Sequence, residues 1–95
     1  MFGPVVVITA FNDEAEVISH ANNTQFGLAG AVFTQDINRG LRIANAISSG
    51  TVGINCCGVL DASVPFGGYK QSGLGRELGH DALAEYTQSK TIVVK

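Results

Sequence analysis

Four consecutive β-branched residues, Val5-Val6-Val7-Ile8, most constrain what this chain can fold into. An uninterrupted apolar run of this length, without polar alternation, is the pattern of a strand covered on both faces, as in a parallel sheet. Two capped amphipathic segments follow it. Asn12 or Asp13 opens the first, with capping-box spacing from Asp13 to Glu16 and acids in the first turn. Ala15, Ile18 and Ala21 recur at helical spacing, and Asn22-Asn23 ends the segment. A second strand is expected at about 28–34. Asp36 caps a second helix whose apolar stripe is Ile37, Leu41, Ala44 and Ile47, closed by Ser49-Gly50. Thr51-Val52-Gly53-Ile54 reads as a third strand. Leu78, Ala82, Leu83 and Tyr86 mark a third helix, and Thr91-Ile92-Val93-Val94 a terminal strand.

The order β-α-β-α-β, long loop, α-β predicts an α/β fold with a parallel sheet. Residues 1–95 form one domain: a core over 1–55, a loop over 56–79, and a helix and strand over 80–95. Two crossover helices are too few to cover three buried-type strands, so the fold is expected to borrow a partner's surface. With 95 residues, 45% hydrophobic and 15% charged, the chain has a globular composition. Six basic residues scattered along a chain of net charge −2 argue against a nucleic-acid-binding face. No apolar run approaches the roughly 20 residues of a membrane span. The adjacent Cys56 and Cys57 cannot staple distant parts of the fold, and a reducing, cytoplasmic location is the expectation.

Four segments, read in order, carry a family resemblance: Phe2-Gly3-Pro4-Val5; Phe26-Gly27-Leu28-Ala29 with Val32-Phe33-Thr34; Gly50-Thr51-Val52 with Ile54-Asn55; and Pro65-Phe66-Gly67-Gly68-Tyr69-Lys70-Gln71-Ser72-Gly73, continuing to Gly75-Arg76-Glu77, Tyr86-Thr87 and Lys90-Thr91. The chain resembles the C-terminal segment of an NAD(P)-dependent aldehyde dehydrogenase. The resemblance implies that Phe2 packs beside the nicotinamide and that Val59, Leu60 and Phe66 line the substrate tunnel. It also implies that residues 91–94 join an oligomerisation sheet, making a homo-oligomer the expected partner. The family's nucleophilic cysteine, glutamate base and dinucleotide domain match nothing in these residues. No cofactor is therefore expected on the isolated chain, and aldehyde oxidation by it alone has no route. Gly53 and Cys57 stand where aromatic residues are frequent in the family, which is expected to open space beside Val59, Leu60 and Phe66.

Cys56 and Cys57 follow the third strand at the carboxyl end of the sheet, where ligand sites gather. A thiolate there could act as nucleophile or base; a pair of small, half-buried loop residues is the plainer reading. His20 follows Glu16 by four residues, a solvated i,i+4 pair unless a partner surface closes over it as a general base. Glu77 and His80 make at most half a metal site, and no metal is expected. Gly73-Leu74-Gly75, near Lys70 and Arg76, does not follow a strand as a dinucleotide fingerprint requires. Three functions fit: a truncated dehydrogenase-like protein repurposed for isomerisation or cyclisation, with Cys56, Cys57 or His20 moving the proton; a binding module docking on an intact dehydrogenase through its terminal strand; or a segment of an ordinary dehydrogenase.

Overall fold

Asp13 starts the first helix, α1 (Glu14–Asn22), by accepting a hydrogen bond from the Glu16 amide at 2.8 Å. Glu16 in turn accepts from the Asn12 amide at 2.8 Å, so the expected capping box closes one residue early. Asn23 ends the helix by donating to the carbonyls of Ser19 and His20. The remaining elements of the computed structural model, which describes residues 3–58 and 60–95, are β1 (Phe26–Gly27), β2 (Ala29–Val32), α2 (Ile37–Ala46), β3 (Thr51–Ile54), β4 (Tyr69–Lys70) and α3 (Ala82–Glu85). Asp36 caps α2 through the amides of Asn38 and Arg39, at 2.9 and 3.2 Å.

β2 and β3 pair in parallel, from Ala29 opposite Thr51 to Val32 opposite Ile54, with α2 as the crossover. Gly40 lets α2 lie close to this pair, because a Cβ there would stand 3.0 Å from Ile54 Cγ2. Two polar clasps hold α1 to α2. Glu14 accepts from Arg42 at 2.7 and 2.9 Å and from Arg39 at 2.8 Å. Asn22 donates to the Ala46 carbonyl and accepts from the Ser48 amide, each at 2.8 Å. The Arg42 bond, followed by that to Arg39, holds the Glu14 carboxyl below its usual range. This clasp is therefore complete above the ordinary carboxylate pKa and weakens as pH falls through the lowered value.

Four expectations are corrected. Residues 5–8 form no strand: Val6, Val7 and Ile8 are more than 80% exposed, and the parallel sheet has two strands among the described residues. Residues 91–94 likewise form no strand, with Val94 89% exposed. Both runs need neighbours on their edges and faces, and the described residues supply none. The strand expected at 28–34 is shorter, Ala29–Val32, and Leu28 separates it from β1, because β1 pairs antiparallel with β4 while β2 pairs with β3. The third helix begins at Ala82, because Leu78 and Gly79, both at φ +59°, take left-handed backbone that a helix cannot continue through.

The described residues contain no buried apolar side chain, and the three that are buried are Gly27, Gly40 and Gly68. The radius of gyration is 17.4 Å, against about 12 Å for a compact domain of this length. The accessible surface is 7883 Å² for 9.9 kDa, roughly 2,700 Å² more than a compact monomer of that mass exposes. That excess is the size of an obligate interface. No helix among the described residues is long and apolar enough to cross a membrane.

Candidate functional site

The carboxyl ends of β2 and β3 are tied together by one side chain. Asn55, at φ +57°, accepts from the Thr34 amide at 2.8 Å and donates to the Thr34 carbonyl at 2.9 Å. An asparagine tolerates this left-handed backbone, and the turn it makes sends the chain back across β3. Gly53 allows that return: a Cβ there would collide with the Cys56 carbonyl oxygen and lie 3.0 Å from Cys56 Sγ. The place of a side chain at 53 is thus filled by the chain itself. This corrects the expectation that Gly53 opens space beside the loop.

The fold-back leaves a groove of about 370 Å³ along the β2–β3 face, lined by Gly53, Ile54, Cys56, Gly58, Leu60 and Phe66 among others. Phe66 is fixed by two backbone bonds of 2.7 Å exchanged with Glu77. Cys56, Leu60 and Phe66, singled out from the sequence, therefore share one site. Cys57 is a free, exposed thiol like Cys56, but is not part of the lining. His20 is exposed on α1 and is not part of that lining either. Phe2 and Val59 lie outside the described residues. Glu77 and His80 join no group of three metal-ligating side chains among the described residues.

The glycine-rich segment locks onto the start of the sheet. Lys70, at φ +55°, donates from Nζ to the carbonyls of Asn22 at 2.9 Å and Thr24 at 3.1 Å, capping α1 from 48 residues away. The Gln71 amide donates to the Gln25 carbonyl at 2.9 Å, and the Gly27 amide to Ser72 Oγ at 2.9 Å. Arg76 donates to the carbonyls of Gly75 at 2.6 Å and Gly68 at 3.1 Å, with its guanidinium 5.6 Å from the centre of the Tyr69 ring. The two cations beside the glycines are thus turned onto backbone carbonyls, which does not fit a cradle for dinucleotide phosphates. Lys70→Met is expected to lower stability by about 1–2 kcal/mol, since it strips both carbonyls of a charged donor. Urea unfolding of a protein carrying this segment checks it.

The family model described as "Aldehyde dehydrogenase family" matches residues 1–92. Human retinaldehyde dehydrogenase 3 is 54% identical over all 95 residues, and betaine aldehyde dehydrogenase of Brucella anthropi 55%; the chain covers 19% and 20% of their lengths. Apo betaine aldehyde dehydrogenase of Staphylococcus aureus superposes with a TM-score of 0.91 at 52% identity, over 93% of this chain and 18% of that one. The NAD+ complex of an aldehyde dehydrogenase from Bacillus cereus gives 0.89 at 54% identity, over 92% and 18%. The chain spans about a fifth of the length of the curated relatives it matches. With the matched residues running from end to end of this fold, the chain belongs to the aldehyde dehydrogenase family.

Proposed function

We propose that this chain supplies the C-terminal part of an NAD(P)-dependent aldehyde dehydrogenase subunit, and that aldehyde is oxidised only when it is joined to the rest of such a subunit. One observation carries this reading. A family match over residues 1–92 coincides with a fold that has no buried apolar core among the described residues and roughly 2,700 Å² of surplus surface. In that setting Leu60 and Phe66, with Val59 between Gly58 and Leu60, wall the path of the aldehyde. Phe2 packs against the nicotinamide, and residues 91–94 pair with a neighbouring subunit. NAD(P) supplies the hydride acceptor; this chain's part is to shape the aldehyde path and exclude water beside it.

Isomerisation or cyclisation by the chain alone would need an enclosed pocket holding an acid and a base. The thiols of Cys56 and Cys57 are exposed, and His20 is not part of the groove that Cys56 lines. The dehydrogenase reading needs none of the three as a proton carrier.

The test is a chimera in which these 95 residues replace the matching segment of the S. aureus betaine aldehyde dehydrogenase. NADH formation with propanal is expected to stay within roughly tenfold of the parent, about 1.4 kcal/mol of barrier. The chain alone is expected to reduce no NAD+. A folded, correctly assembled chimera that has lost more than about a thousandfold contradicts the proposal.

A further inference from the structure

The chemistry of the groove wall narrows the substrate. Among the described residues no charged side chain lines it; the polar side-chain atoms there are the Thr51 hydroxyl and the Cys56 thiol, and Phe66 is the aromatic ring. The adjacent acid, Asp61, is held within its own loop, where its carboxylate accepts from the Ser63 hydroxyl at 2.7 Å and the Ser63 amide at 2.8 Å. These two bonds, both to Oδ1, hold the Asp61 carboxyl below its usual range, and Asp61 is not part of the described lining. A quaternary ammonium group is recognised by a cage of aromatic faces or by an opposed carboxylate, and the described lining offers neither. Val59, beside Leu60 in the sequence, adds another apolar residue to the loop. A groove of about 370 Å³ is within the range of small-molecule sites.

We infer that this wall selects an uncharged aldehyde with an apolar tail over a cationic one; the inference rests on the dehydrogenase reading above. Each methylene laid against Leu60, Ile54 and Phe66 leaves water without any polar group having to be re-paired. A trimethylammonium head would lose its hydration there with nothing to replace it.

The experiment is a substrate series on the S. aureus chimera: propanal, hexanal, decanal and betaine aldehyde. Relative to the parent enzyme, kcat/KM for hexanal divided by that for betaine aldehyde is expected to rise at least tenfold. Along the alkanals, kcat/KM is expected to climb by up to roughly fourfold per added CH2. A chimera that oxidises propanal but keeps the parent's ratio within twofold overturns the inference and leaves the dehydrogenase reading intact. A chimera inactive towards every aldehyde is followed by the same graft into human retinaldehyde dehydrogenase 3. Retinaldehyde oxidation there restores the dehydrogenase reading; a chimera in that host that prefers betaine aldehyde to hexanal overturns the inference, and inactivity in both hosts overturns both.

Discussion

Replacing Gly50 by alanine in the chimera is expected to cost on the order of 3 kcal/mol or more, enough to abolish soluble protein in a marginally stable host. Gly50 sits where the α2–β3 turn meets the glycine-rich segment, and a Cβ there would collide with the Gly67 carbonyl oxygen. The Cβ position is fixed by the backbone at residue 50 and the oxygen it meets is itself backbone, so no rotamer change relieves the clash. The Gly50 amide is itself bonded to the Gly27 carbonyl at 3.1 Å, so the turn cannot simply swing away. Gly30→Ala is the control. Its Cβ would meet Ile47 Cγ2 at 3.4 Å, an ordinary van der Waals contact, and a change below about 1 kcal/mol is expected. Chemical denaturation of the two variants side by side checks the pair, and equal losses would contradict the close approach of 50 and 67.

The second large effect concerns residues 5–8. In the chain by itself Ile8 is 88% exposed, and Ile8→Asp is expected to leave its properties unchanged. In the chimera the same substitution is expected to cost about 3–5 kcal/mol, because a carboxylate would then be buried unpaired in a strand covered on both faces. The comparison separates two accounts of the run. If residues 5–8 remain solvated in the complete subunit, Ile8→Asp will shift the denaturation midpoint by no more than an ordinary surface change.

What was legible in the sequence was local. Asp13, one of two candidates with Asn12, and Asp36 marked the starts of α1 and α2 because a cap is a contact between residues two or three apart. Thr51–Ile54 was legible as a strand from its β-branched pattern, and the parallel pairing with β2 followed from the helix between them. β4 was not legible. Tyr69–Lys70 is two residues inside a glycine-rich stretch, and its partner, Phe26–Gly27, lies more than forty residues away. No period reports that pairing; only the Gln71–Gln25 and Ser72–Gly27 bonds do. Residues 5–8 and 91–94 were misread for the opposite reason. Their composition is that of strands with covered edges and faces, and the described residues provide no such cover. The groove was partly legible. Leu60 and Phe66 were picked out through the resemblance, but Gly53 was read as added space, because nothing in the sequence shows a carbonyl folding back from three residues on.

The central claim is that this chain folds as a segment of a larger dehydrogenase subunit and not as a domain with its own core. Amide hydrogen exchange, measured on the chain alone and on the chimera, tests it most directly. In the chain alone, the amides of residues 5–8 are expected to exchange at nearly the rate of an unfolded peptide, and β3 to be only weakly protected. In the chimera both are expected to slow by several orders of magnitude, towards the limit set by global unfolding. Strong protection of residues 5–8 in the isolated chain would show a core this account denies, and would contradict it.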